Sequence, residues 1–206
     1  MALNVHPRIY LASRSPRRRE LLQQIGVDFD TVMFRAPPRE DEDVSEDVLA
    51  GEDPETYVVR VAIAKAAGAL SRLDWRRLPR LPVLSADTTL DLDGAIIGKP
   101  DDAAHAMSIL RDLSGRSHRV LTAVAVALDD RLEHRLSIST VHFRELDDRD
   151  IARYVASGEP FDKAGAYGIQ GRAASFIRHI EGSYSGIMGL PLFETTGLLR
   201  SFGMDL

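Results

Sequence analysis

Apolar and polar positions alternate with two periods along this chain, and the switches between them mark its elements. Arg8–Ala12 is a short apolar run ending at Ser13 and reads as a buried strand. Ser15 then stands as an N-cap with Pro16 at the first helical position. Leu21, Leu22 and Ile25 give that helix its apolar stripe, and Gly26 ends it. Phe29–Phe34 predicts a second strand, so the order strand, helix, strand points to an α/β fold. The stretch from Ala36 to Glu55 is rich in Pro, Asp and Glu and reads as a solvated loop. Asp53 with Pro54 opens a second helix that runs to about Leu73.

The second half follows the same logic. Val83–Ala86 reads as a strand, and residues 84–100 alternate around Asp93-Gly94, a strong hairpin signal. Asp91 and Asp93 flank that turn and are accounted for by solvation. Asp101 or Asp102 caps a helix carrying Met107, Leu110 and Leu113, with Gly115 as its stop. Two strands, 118–128 and 132–146, meet at Asp129-Asp130, and Asp147 and Asp148 cap a short helix to about Ala156. The glycine-rich stretch 161–191 reads as loop, strand, loop, with a closing helix from Pro191. No internal repeat or low-complexity linker interrupts the pattern.

Composition narrows the function. The 206 residues suffice for one sizeable domain, or two closely packed lobes, and 44% hydrophobic with 28% charged residues is ordinary for a globular enzyme. A formal net charge of −5 argues against a nucleic-acid polymer as partner, so an anionic ligand must meet a local basic cluster. There is no cysteine, which removes disulfides, thiolate catalysis and Cys-based zinc sites. None of the six histidines forms an H-x-x-x-H pair or short cluster, which argues against a His-based metal site. The N-terminus lacks the pattern of a signal peptide, and no window approaches a membrane span, so a cytoplasmic protein is expected.

Local chemistry concentrates in a few places. Free N–H groups at the start of the first helix, the hydroxyls of Ser13 and Ser15, and the guanidinium groups of Arg14, Arg17 and Arg18 either cradle a phosphate or stand as solvated surface charge. Arg19 is read as exposed charge. There is no Walker loop and no G-x-G-x-x-G. Asp87 interrupts an apolar strand, where an unpaired carboxylate is costly; it either pairs with a Lys or Arg, or ligates Mg²⁺ or activates water. Lys65, in an alanine-rich helical stretch, either snorkels to solvent or serves a site, and Lys99 sits where the hairpin ends. Gln170, among three glycines, carries an amide suited to the edge of a pyrimidine, although a tight connector would have the same glycines.

Taken together, six segments resemble the Maf family of nucleotide pyrophosphatases. They are LASRSPRRRELL at 11–22, AKA at 64–66, SADTTLDLDGAIIGKP at 85–100, LSG at 113–115, DKAGAYGIQG at 162–171 and EGSYSGIMGLPL at 181–192. The resemblance implies an α/β fold of the ITPase-like kind, a mixed sheet with flanking helices. It further implies one domain over 1–206, with two lobes around a nucleotide cleft, working as a homodimer. The implied reaction is metal-dependent hydrolysis of a nucleoside triphosphate to monophosphate and pyrophosphate, with Mg²⁺, Mn²⁺ or Co²⁺. Asp87 would be the general base or metal-linked carboxylate, and Ser13, Arg17, Lys65 and Lys99 would surround the triphosphate. Arg18, Thr88 and Gln170 match positions that tune base choice in the dTTP/UTP branch, and housecleaning of non-standard nucleotides is a further implied role. Two alternatives stand beside this: 7-methyl-GTP or another modified nucleotide as substrate, and a nucleotide-sensing regulator of septum formation.

One departure concerns the metal. Family members often carry an acidic pair soon after the second strand, in a V-D-E-like context. Here that region reads FRAPPREDED, and Glu40 is taken as the second metal ligand, with Asp41 and Glu42 close behind.

Overall fold

The computed structural model describes residues 8–32 and 44–206. A seven-stranded mixed sheet runs through it: β1 (Arg8–Leu11), β2 (Asp28–Thr31), β3 (Val83–Leu92), β4 (Ala95–Ile97), β5 (Ser117–Leu128), β6 (Arg131–Phe143) and β7 (Ile177–Glu181). The spatial order is β2-β1-β3-β5-β6-β7, with β4 on the far end of β3. Only the β1–β2 and β1–β3 pairs are parallel; all others are antiparallel. Six α-helices accompany the sheet: α1 (Pro16–Gln24), α2 (Pro54–Arg76), α3 (Ala103–Leu113), α4 (Asp148–Val155), α5 (Tyr184–Met188) and α6 (Leu192–Ser201).

The helices start where capping chemistry puts them. The Asp53 carboxylate accepts from the N–H groups of Glu55 and Thr56, and Asp102 and Asp147 do the same for α3 and α4. Ser15 differs from expectation. It occupies the N-cap of α1, but its side chain caps nothing; its own N–H instead donates to Ser13 Oγ at 3.2 Å. Helix α2 buries Val58, Val61, Ala62, Ala66, Ala69 and Leu73, a three-and-four spacing that lays one face on the sheet. Leu121, Ala123, Ala125 and Ala127 of β5 receive part of that face.

Strand β3 joins the expected strand at Val83–Ala86 and the first arm of the expected hairpin into one strand. It ends at Leu92, before the Asp93-Gly94 turn, because its polar residues find partners. Asp91 is buried rather than solvated: one oxygen accepts from Gly94 N at 2.6 Å, the other from Arg119 Nε at 2.7 Å. Both residues of the Asp93-Gly94 turn adopt positive φ, as a tight hairpin between twisted strands requires. Strand β2 begins one residue earlier than expected, and Phe34, its expected end, lies outside the described residues. The stretch 161–191 contains more than a strand between loops. It also holds two 3₁₀ segments, the end of a third that begins at Glu159, and the short helix α5, which Ser183 caps through Gly186 N.

Candidate active site

Strand β3 has a gap along one edge. Parallel β1 lies beside it only at Val83 and Leu84, and β4 only from Leu90 to Leu92. Between these, residues 85–89 have no strand neighbour on that side among the described residues. The chain leaving β1 turns there into α1, the place where open α/β sheets offer a crevice to ligands. A cavity of about 670 Å³ fills the gap.

Sequence periodicity explains what reaches into it. Ser85 and Asp87 sit on the same face of β3, two residues apart. Ala62 and Lys65 sit on the same face of α2, three residues apart. The two rows mesh: Ser85 Oγ donates to Ala62 O at 2.7 Å, and Lys65 Nζ donates to Asp87 Oδ1 at 2.8 Å. Lys65 Nζ also lies 2.6 Å from Glu46 Oε1, so one ammonium bridges two carboxylates. Tyr57, from the same helix, donates its hydroxyl to Glu46 O at 3.0 Å and fixes the approach of that segment.

The opposite face of β3 carries Thr88, and here α1 and α5 meet the strand. Arg18 Nε donates to Gly189 O at 2.7 Å, and Nη1 donates to Ala86 O at 2.7 Å and to Ser13 Oγ at 3.2 Å. Nη2 donates to Thr88 Oγ1 at 3.3 Å. Four of the five guanidinium protons are thereby directed at protein oxygens. Thr88 Oγ1 is also 2.9 Å from Thr122 Oγ1, and Thr122 gives its single proton to Gly186 O at 2.8 Å. Thr88 must therefore donate to Thr122. What its oxygen has left for a ligand is a lone pair, not a proton.

Ser13, Arg17, Arg18, Lys65, Asp87, Thr88, Lys99 and Gln170 all line this cavity, although up to 157 residues separate them in sequence. Arg14 and Lys163 line it too, giving six cationic side chains against three acidic ones, Glu46, Asp87 and Asp162, in a chain of net charge −5. Arg17 Nη1 reaches Asp162 Oδ2 at 3.2 Å, and Lys163 donates to Glu159 O at 2.7 Å. Arg19 is half-buried and lies away from the cavity, so it is not the fully exposed charge expected.

A family model described as Maf-like protein matches residues 8–202. The chain belongs to the Maf family. Full-length relatives agree: a protein of Aromatoleum aromaticum is 62% identical over 98% of both chains. One of Dechloromonas aromatica is 60% identical over 95% of this chain and 98% of its own, and one of Ralstonia nicotianae is 58% identical over 98% and 97%. All three are named dTTP/UTP pyrophosphatase. Among solved structures, the Staphylococcus aureus Ham1 protein superposes with a TM-score of 0.50 at 15% identity, covering 95% of this chain and 97% of that one, a likeness of fold.

In this Maf chain the two carboxylates beside Lys65 are driven apart. Burial raises the Asp87 carboxyl above its ordinary range, against the pull of Lys65 and Arg18. Burial also pushes Glu46 up, but the charge and hydrogen bond of Lys65, with Lys99 and Arg18, outweigh it and hold Glu46 below the ordinary range. Burial, followed by the charges of Asp87 and Glu46, lifts the Tyr57 phenol to about 12, so it stays neutral. Glu46 is an acidic residue of the cavity that the sequence reasoning did not name. Glu40, Asp41 and Glu42 lie outside the described residues, whereas Val44-Ser45-Glu46 brings its acid to the cavity. The signal was available: Val-x-Glu in that loop matches the V-D-E context, six residues beyond the first acid considered.

Proposed function

We propose that this Maf chain hydrolyses dTTP and UTP to the nucleoside monophosphate and pyrophosphate. The observation that carries the reading is the Lys65 ammonium held between Asp87 and Glu46 at the wall of a cation-lined cavity. Two carboxylates sharing one cation are a donor set that fits a hard divalent ion such as Mg²⁺, Mn²⁺ or Co²⁺, and Asp87 with Glu46 would hold it. Such an ion, when bound, supplies charge to offset the triphosphate and the leaving pyrophosphate.

The chain's own residues take the remaining work. The N-terminus of α1, with Ser13 and Arg17, receives phosphate oxygens, and Lys99 faces them from the end of the hairpin. Asp87, with its raised pKa, accepts the proton of the water that attacks the α-phosphate, while Glu46 stays ionised. This division of two carboxylates by environment is how one site holds both a base and a permanent anion. Thr88 offers a lone pair to the N3–H that thymine and uracil both carry; cytosine presents an acceptor at the same atom and finds none of that complement. The Gln170 amide adds a donor and an acceptor for the carbonyl edge. Arg18 acts on base choice through Thr88, which it holds in place.

The same reading includes a single domain over 1–206, with two lobes about the cleft, acting as a homodimer in the cytoplasm. Among the described residues no helix is long and apolar enough to cross a membrane. Phe193, 87% exposed at the start of α6, leaves an apolar surface in water, and sedimentation equilibrium tests the dimer.

The deciding experiment is a panel of dTTP, UTP, CTP and 7-methyl-GTP with product identification, run on the parent and on Asp87→Asn. The expected result is pyrophosphate release from dTTP and UTP, with Asp87→Asn binding nucleotide but losing turnover. Preference for 7-methyl-GTP would overturn the base assignment. Parental turnover by Asp87→Asn would overturn the role of Asp87. Tight nucleotide binding without pyrophosphate release under Mg²⁺, Mn²⁺ or Co²⁺ would favour the sensor.

A further inference from the structure

Strands β6 and β7 pair so that His142 stands opposite His179 and Thr140 opposite Glu181. Residues two apart on a strand share a face, so both imidazoles and the Glu181 carboxylate project together. The two rings lie 5.3 Å apart at 43°, and Glu181 Oε1 is 3.2 Å from His142 Nε2 and 3.8 Å from His179 Nε2. One ligand atom from each residue falls within 4.8 Å of the others, and none of the three lines the nucleotide cavity.

We propose that His142, His179 and Glu181 form a second metal site, specific for a transition ion of the Zn²⁺ kind. Two imidazoles and a carboxylate match the ligand set of zinc sites that leave a fourth position to water. Donor atoms about 2.0–2.2 Å from a tetrahedral ion stand roughly 3.4 Å from one another. The separations to Glu181 already bracket that value, and the ring nitrogens of the two histidines must draw together from within 4.8 Å. Imidazole favours Zn²⁺, Ni²⁺ and Cu²⁺ over Mg²⁺, which separates this site chemically from the carboxylate pair in the cavity.

A further contact prepares the first ligand. His142 Nδ1 lies 2.7 Å from Ser117 Oγ, on β5. Without an ion, Nε2–H donates to Glu181 Oε1 and Nδ1 accepts from the Ser117 hydroxyl. With an ion bound, Nδ1–H would donate to that hydroxyl and leave the Nε2 lone pair for the metal; a partner of this kind commonly orients metal-bound histidine. His142 is also the least exposed of the three side chains, at 20% against 63% and 64%. The bound ion would clamp the edge strand β7 to β6, just ahead of Ser183, the cap of α5.

The test uses untagged protein stripped with chelator and held in excess Mg²⁺, titrated with Zn²⁺ by calorimetry and with Co²⁺ by its visible absorption. One Zn²⁺ per chain is expected, with a raised thermal midpoint and the intense absorption of four-coordinate cobalt. His179→Ala should weaken Zn²⁺ binding at least tenfold and abolish the thermal shift, while its Mg²⁺-supported pyrophosphate release stays parental. Asp87→Asn should bind Zn²⁺ as the parent does. Unchanged Zn²⁺ affinity in His179→Ala, loss of binding in Asp87→Asn, or no binding by the parent at submillimolar Zn²⁺ would each overturn the proposal.

Discussion

Lys65 Nζ sits 2.8 Å from Asp87 Oδ1 and 2.6 Å from Glu46 Oε1, one positive charge for two negative ones. Its removal leaves the carboxylates facing each other. Lys65 opposes the rise of the Asp87 pKa, so Lys65→Met moves that pKa further up. A base works only when ionised, so the acidic limb of kcat/KM shifts to higher pH. The expected loss in kcat at neutral pH is about a hundredfold or more, read from a pH–rate profile on dTTP. A profile superposing on the parent's would break the link between Lys65 and Asp87.

Thr88 offers an acceptor because Thr122 has already committed its proton to Gly186 O. Thr88→Val keeps the shape and removes that oxygen, leaving an Arg18 N–H unpaired. One hydrogen bond contributes about 1 kcal/mol, so kcat/KM for dTTP and UTP should fall about five- to tenfold. CTP, which gains nothing from the acceptor, should change little. Competition assays with mixed nucleotides measure the ratio; equal losses on all three would exclude Thr88 from base reading.

The buried Asp91 carboxylate ties the turn amide of Gly94 to Arg119, and Arg119 also reaches Glu55 Oε1 at 2.9 Å. Asp91→Ala strips the ladder of that link. Arg119 is partly in water and keeps Glu55, so the cost is below that of a fully buried pair, about 2 kcal/mol. The melting temperature should drop by about 4 to 8 °C in calorimetry.

Gly165 has φ +71°, and a Cβ there would stand 2.1 Å from Leu90 Cδ2. Gly165→Ala meets backbone strain and a clash together, for a cost of about 2–4 kcal/mol. Leu90 lines the cavity and Gly165 N donates to Gly98 O beside Lys99, so KM for dTTP should rise as well. Denaturant melts and steady-state kinetics on the same preparation give both readouts.

His118 is buried against Phe143 and Tyr167, and burial, aided by the charge of His142, lowers its pKa to about 4. Between pH 4 and about 6.5 the unfolded chain therefore holds a proton there that the folded chain refuses. Stability from this group rises with pH across that window and is lost as pH falls through it, with a slope up to about 1.4 kcal/mol per unit. Urea melts of the parent and of His118→Phe should diverge in slope only in that window.

The elements with strong periodicity or an Asp-Pro start were legible in the sequence: α2, α3 and the β5–β6 hairpin sit where alternation and caps placed them. The hairpin of β3 and β4 was legible too, but the partners that let Asp87, Thr88 and Asp91 stand in that strand were not. Those partners, Lys65, Thr122 and Arg119, are 22 to 34 residues away and no local pattern announces them. The cavity residues named from the resemblance converge, whereas Glu46 was hidden in a loop whose acidity reads as solvation. His142 and His179 escaped a search for short spacings because a strand pairing, not a helix turn, brings them together.

Between Leu84 and Leu90, β3 has no strand neighbour on one side among the described residues, and Arg18 Nη1 donates to the Ala86 carbonyl there instead. An exposed strand edge invites pairing with any passing strand, and folded proteins ordinarily cover it. Here residues 87–89 line a cavity ringed by cations, which gives a bare strand little to pair with. Extending β1 by five residues would pair residues 85–89 and close the cavity in one stroke. Stability and access are thus opposed at a single seam of the sheet, and mutations that tighten it should be the ones selection for activity rejects.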